Sequence, residues 1–453
     1  GSTLTNMAFI IHSTGLEQKL HKLGDKFAFD TETAMAPAAF GGWNHVRLLQ
    51  FANEEGFEFY LDTLEMGTAE MGLVREALER PELEVLCQNA AFDYRVMRGC
   101  GIYLGGKPSL QHLPTLRDTM LASQILHNGK ANLKHNLAAI VKRECRVELD
   151  KTLQKNNWME AVLTEEEIAY AMGDVRYTLR AAYTMHPRLK EQGLWSTYEL
   201  ECALIPAVVE MESTGMRLDP VAIGETLEVY QEESASCRDC FLETLDGRLQ
   251  NDGLEPLPRD DDGAFNTRAK DSGALRLGTK LYAGFNINSA QQVLKYFNAL
   301  GIEPVDDNGK ASLDKKVLAR FQSDELVRMY RNYRNVEKRY GMAQKLCEHA
   351  GADDRIRARF MQLGTGTGRW SSSGPNLQNI PRDPAFRYAF RAPEGRVMVE
   401  VDYEAVERAR RAYRDQFKAE EGFSLTYLQR GIFTSFLAKR DGDVAQLVAA
   451  LNR

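Results

Sequence analysis

"KFAFDTET" (residues 26–33) is a short apolar run that ends in acids. Read as a strand, it places residues i and i+2 on one face, so Asp30 and Glu32 point the same way at the end of the run. Two carboxylates on a solvated edge carry no chemistry. Beside further acids they would be costly to bury without a cation, so the reading depends on what else the first part of the chain supplies.

Two segments supply more. "LCQNAAFDYRVM" (86–97) follows an apolar run and turns helical, placing Asp93 just after Phe92. "LTEEEIAYAMGDVRYTL" (163–179) opens with Thr164 and Glu167 spaced as a capping box, which sets a helix start. On that helix Tyr170 and Asp174 are i and i+4 and share a face. Asp30, Glu32, Asp93 and Asp174 together imply a divalent-metal cluster. Hard oxygen ligands suit Mg²⁺ or Mn²⁺, and four carboxylates can hold two such ions.

The order Asp-x-Glu, Asn-x-x-Phe-Asp, Tyr-x-x-x-Asp resembles the tyrosine variety of the DEDD-class 3′→5′ exonucleases. These include the proofreading domains of family A DNA polymerases and ribonuclease D. The stretch 148–175, with a Lys, a Gln and a Trp ahead of the Tyr-bearing helix, is similar to the ribonuclease D pattern. The resemblance implies a ribonuclease H-like α/β domain with Asp30, Glu32, Asp93 and Asp174 as metal ligands. It also implies that Tyr170 orients the attacking water, with Asn89 and Phe92 as substrate contacts. A phenol, neutral at pH 7, orients a water better than it takes a proton from one.

The rest of the chain sets the frame. With 453 residues, 43% hydrophobic and 27% charged, it has the composition of a soluble protein of about three domains. A net charge of −7 confines any nucleic-acid site to local basic faces. Seven scattered cysteines and no leader-like segment read as reduced thiols in the cytoplasm or another reducing, DNA-containing compartment. No apolar run reaches the ~20 residues of a membrane span. The Cys237/Cys240 pair has no second pair to complete a zinc site.

Strand-like runs "VRLLQFA" (46–52) and "GFEFYLDT" (56–63) alternate with helical ones up to about residue 195. Long helical runs follow to about 360, interrupted at 251–278 by a Gly-, Asp- and Pro-rich stretch that reads as a mobile loop. Ser289 and Gln292 have the spacing of a second capping box. Arg328, Arg331, Arg334, Lys338 and Arg339 crowd one helix, three of them at i, i+3 and i+6, a pattern that fits phosphate contact.

Residues 201–219 and 285–302 resemble the start and thumb of the polymerase region of family A DNA polymerases. "GTGTGRWSSSGPNLQNIP" (364–381) is similar to their segment that grips the primer–template minor groove, which would make Arg369, Gln378 and Asn379 DNA contacts, along with Arg334 and Lys338. "MVEVDYEAVE" (398–407) resembles their first palm motif, with Asp402 as a metal ligand and Glu407 at the position that excludes ribonucleotides.

The domains expected are therefore an exonuclease at 1–195, a helical thumb-like region at 196–363 and a partial α+β palm with a helical tail at 364–453. Neither a fingers helix nor a His-Asp-Glu turn appears, and no histidine follows His349, so the polymerase site is incomplete in the chain as given. The leading expectation is a replication or repair enzyme that removes nucleotides from DNA 3′ ends. Deoxynucleotides are partners only if the palm is completed, and no membrane partner is expected. Three alternatives stay open: a full template-directed polymerase with segments absent here, a DNA-binding module, and a ribonuclease D-like RNA exonuclease. Asp402 could also simply end a strand in a packing module.

Overall fold

The structure, a computed structural model, describes residues 13–33, 45–109, 111–128, 130, 133–149, 158, 160, 162–260, 262–267 and 284–395. It is mixed α/β and divides into two compact units, one formed by described residues up to Gly215 with Ala358–Gln378, the other by Met216–Arg357 with the described residues from Asn379.

The first unit runs α1 (Ser13–Leu23), β1 (Lys26–Thr33), β2 (Val46–Asn53), β3 (Glu58–Asp62), α2 (Thr68–Leu78), β4 (Glu84–Cys87), α3 (Ala90–Gly99), β5 (Thr115–Asp118) and α4 (Thr119–Leu126). It continues through α5 (Leu137–Ile140), α6 (Glu165–Glu191), α7 (Trp195–Ala203) and α8 (Ile205–Thr214). The sheet order is β3-β2-β1-β4-β5. Strands β1, β2 and β3 form an antiparallel meander, while β4 and β5 run parallel to β1. This is the α/β arrangement expected from the alternation of strand and helix signals.

The faces of β1 divide as the period of two requires. Phe27 and Phe29 enter a core with residues of α1, α2 and α3, whereas Ala28 enters a second cluster with Ala171, Met172 and Val175 of α6. Stacked Phe51 and Phe59 (ring centroids 4.8 Å apart) extend the first core across β2 and β3. Thr164 and Glu167 form the expected capping box at the start of α6.

The expected domains were 1–195, 196–363 and 364–453; by packing, the described residues group as the two units above. Tyr198 and Cys202 of α7, and Ile205 and Val209 of α8, belong to the same core as Phe29 and Val85, so a cut after 195 would pass through packed side chains. A short hairpin, Arg359–Met361 with Ser371–Ser373, joins the same unit. Its Gln362 amide donates to the buried Glu201 carboxylate at 2.7 Å and to the Glu201 carbonyl at 2.8 Å. The palm-like strand near 396–402, Asp402, Glu407 and the helical tail lie outside the described residues.

Burial pushes the Glu201 carboxyl up to about 7, and its Oε1 has no hydrogen-bond partner. The folded state then holds this proton more tightly than the unfolded chain does, so stability falls as pH rises from about 4.5 to about 7 and levels off above. Glu201→Gln removes the ionisation. It is expected to melt above the wild type at pH 8, by up to roughly 3 kcal/mol of stability, with the gap closing toward pH 5. A gap that does not widen with pH in thermal melts would contradict the assignment.

The second unit holds the short antiparallel pair β6 (Met216–Arg217) and β7 (Arg355–Ile356), with α9 (Pro220–Asn251), α10 (Ala290–Ala299), α11 (Lys315–Leu318), α12 (Glu325–His349) and α13 (Pro384–Ala389). Helices α9 and α12 lie along one another around Phe241, Phe297 and Tyr330. Asp219 and Asp324 cap them, and Asp324 also receives Arg248 at 2.8 Å. Ser289 caps α10, but the Gln292 side chain accepts from Asn286 N–H and not from the cap residue, so the expected box is closed on one side only.

Within the expected loop, described residues of 254–260 and 262–266 are held to α9 and to one another. Buried Asp246 accepts the Leu257 N–H at 2.6 Å and Arg259 at 2.9 Å, and Arg259 lies 4.0 Å over the Phe265 ring. Residues 268–283 lie outside the described set.

Candidate metal centre

Because β1 alternates, Asp30 and Glu32 leave it on the Ala28 side, the side covered by α6. Asp174 comes from α6, one turn after Tyr170. One carboxylate oxygen from each of Asp30, Glu32 and Asp174 lies within 4.8 Å of the others, and all three residues are half-buried. Among the described residues this is the one such group of acids. Three anions at that separation repel one another, and a divalent cation with hard oxygen ligands turns the repulsion into attraction.

Asp93 arrives differently. It occupies the first turn of α3, within the core that holds Phe27 and Phe29 on the other face of β1, and it is not part of the trio. Thr31, the residue between Asp30 and Glu32, donates its hydroxyl to Asp93 Oδ1 at 2.8 Å. Burial pushes the Asp93 carboxyl up to about 7, against the pull of that hydrogen bond. Its Oδ2 is buried with no hydrogen-bond partner, a loss of about 1–3 kcal/mol that a cation ligated there would offset. The donor set therefore fits a magnesium- or manganese-type ion.

Two supporting residues, Arg47 and Asp118, escaped the sequence reading, whereas the Trp ahead of the Tyr-bearing helix did not. Trp158 packs against Tyr170 with ring centroids 6.2 Å apart, and its carbonyl is held by buried Arg47, which also pairs with Asp62 at 2.8 Å. An arginine inside the apolar run "VRLLQFA" was the available signal. Asp118, at the end of β5, accepts the N–H groups of Asn89 (2.9 Å), Ala90 (3.0 Å) and Met120 (2.7 Å). Burial raises it to about 6 although those donors pull it down. Its four-residue strand carried no periodic signal.

The residues expected to touch substrate are spread across both units. Asn89 is exposed at the start of α3, and Phe92 packs partly into the core. In the hairpin of the first unit, Arg369 is exposed, and Gln378 donates its amide to the Trp370 carbonyl at 3.2 Å. In the second unit Asn379 is exposed, as are Arg334 and Lys338 on α12. Arg334 leans on Tyr330, whose hydroxyl is 3.3 Å away. Arg328 instead closes the turn before α12 by donating to the Gln322 and Ser323 carbonyls, and Arg339 pairs with Asp383 at 3.7 Å.

Residues 8–190 match a family model described as 3′-5′ exonuclease, and residues 274–410 match one described as DNA polymerase family A. The chain is 26% identical over 403 residues to DNA polymerase I of Aquifex aeolicus, covering 88% of this chain and 62% of that protein. It is 30% identical over 240 residues to the thermostable DNA polymerase I of Thermus filiformis, covering 50% of this chain and 24% of that protein. Among solved structures it resembles the POL domain of Pol1 from M. smegmatis in complex with DNA primer-template and dNTP. The TM-score is 0.61 at 18% identity, over 84% of this chain and 57% of that one, a likeness of fold. The chain thus spans less than two thirds of these relatives' length. Among the described residues no helix is long and apolar enough to cross a membrane.

Proposed function

From the match of residues 8–190 to a 3′-5′ exonuclease family model and of residues 274–410 to a DNA polymerase family A model, we propose that the chain is of the family A DNA polymerases and removes nucleotides from DNA 3′ ends by metal-dependent hydrolysis. The observation that carries this reading is the convergence of Asp30, Glu32 and Asp174 beside Tyr170. Asp93, with its unpartnered oxygen, is the fourth acid of the set. Two divalent cations held there would offset the phosphate charge and activate a water for attack on phosphorus. Mg²⁺ and Mn²⁺ both suit the ligands.

The protein's own groups do the rest. The Tyr170 hydroxyl, steadied by the Trp158 ring, orients the water by hydrogen bond. Asn89 holds the terminal nucleotide and Phe92 lies against it. Arg369, Gln378 and Asn379 contact the duplex, and Arg334 and Lys338 its phosphates, without reading sequence. DNA is the proposed substrate because residues 274–410 match the model described as DNA polymerase family A and the similar curated proteins are DNA polymerase I.

A 5′-labelled primer on a longer template, incubated with Mg²⁺ and run on a denaturing gel, is expected to shorten stepwise, and EDTA to stop the shortening. Tyr170→Phe is expected to slow turnover about 10²-fold while leaving the metal concentration for half-maximal rate unchanged. Binding without shortening would favour a DNA-binding module instead. Faster digestion of RNA would favour the ribonuclease D-like reading.

A further inference from the structure

Helix α3 begins at a residue whose side chain does not perform its usual task. Asparagine is among the preferred N-cap residues because its carbonyl can accept an N–H of the first turn. Asn89 is the N-cap of α3, yet its backbone is left-handed (φ 63°, ψ 53°) and its side chain makes no capping hydrogen bond. An ordinary N-cap has extended backbone. Two of the N–H groups at this helix start, those of Asn89 and Ala90, are satisfied from elsewhere in the fold. Asp118 Oδ1 accepts from Asn89 N–H and Asp118 Oδ2 from Ala90 N–H, and the carboxylate is 2% exposed.

We propose that Asp118 is a positioning residue for the 3′ end. By accepting the Asn89 and Ala90 N–H groups, it holds Asn89 in its left-handed backbone, which keeps the exposed Asn89 amide off the helix start and open to the terminal nucleotide four residues before Asp93. This deepens the exonuclease reading and rests on it. Asp118 also caps α4 through Met120 N–H, a role that a solvated side chain could fill alone. The neighbouring Gln88, by contrast, has its amide held on both sides, by the Thr119 hydroxyl and the His135 carbonyl. Of the two adjacent amides, Asn89's is the one that makes no side-chain hydrogen bond among the described residues.

The two roles of Asp118 separate in one experiment. Asp118→Ser keeps a short acceptor suited to capping α4 but cannot reach Asn89 and Ala90. Steady-state digestion of a labelled single-stranded oligodeoxynucleotide with Mg²⁺ is measured for the wild type, Asn89→Ala, Asp118→Ser and the double variant. Each single change is expected to raise KM about tenfold with kcat within about threefold, and the double variant to raise it about tenfold as well, not a hundredfold. An unchanged KM in Asn89→Ala or Asp118→Ser, or an additive hundredfold rise in the double variant, would overturn the proposal. If Asp118→Ser does not fold, Asp118→Asn takes its place in the cycle, since it presents an amide to one of the N–H groups and keeps the volume. A wild type that digests DNA with unaltered KM in the variants sinks only this proposal. A wild type that digests nothing sinks the exonuclease reading and this proposal with it.

Discussion

Asp174→Ala and Asp30→Ala are each expected to lower 3′→5′ digestion by on the order of 10³-fold while leaving the protein folded. The magnitude follows from removing one fixed charge from a site whose catalysis is electrostatic. The folding side follows from the geometry, because three half-buried carboxylates within 4.8 Å repel in the absence of a cation. Removing one should leave the metal-free melting temperature unchanged or raised. Added Mg²⁺ or Mn²⁺ should raise the wild-type melting temperature and shift the variants much less. Digestion within tenfold of wild type in either variant would mean that these acids do not hold the working metal.

Glu212→Ala is expected to damage stability instead of chemistry. Glu212 is nearly buried on α8 and is a hub for three groups: Arg95 of α3, Arg359 at 3.3 Å and the Phe360 N–H at 2.7 Å. Truncating it removes the buried ion pair of the Arg95 guanidinium, whose charge burial already disfavours, and breaks the tie between α3 and the 359–373 hairpin. The loss is expected to be about 3–5 kcal/mol, the scale for removing one partner of a buried pair. In calorimetry this is a fall in the melting temperature of the first unit by on the order of 10 °C. Glu210→Ala is the control, since its pair with Arg98 is more than a quarter exposed on both sides and should contribute less than about 1 kcal/mol. Equal losses in the two variants would remove Glu212 from its place as the hub.

How much of this was legible beforehand differs by element. The strand at 26–33 emerged with the bounds its pattern implied, and the Thr164 box opened α6 as its spacing implied. Asp30, Glu32 and Asp174 met because two local periods, two on a strand and 3.6 on a helix, put their side chains on the facing surfaces of β1 and α6. Asp93 was expected among the metal ligands and stands outside the trio, because its period could not say from which side of the sheet it would come. Thr31 decides that, by binding it from the opposite face of β1. The four-residue β5 was missed because a strand that short has no period to read, and Asp118 was missed with it.

The sequence by itself determined the α/β class of the first part, the helical class of the second, the three acids that meet between β1 and α6, and the family resemblance. Each of these is carried by residues a few positions apart or by a motif read in order. Only the tertiary structure decided that α7, α8 and the 359–373 hairpin complete the first unit, that Glu212 ties that hairpin to α3, and that Asp118 caps the helix of Asn89. Those outcomes depend on which buried charges meet across separations such as the 117 residues between Arg95 and Glu212. Local periodicity says which face a side chain occupies, and the path of the chain says what it faces.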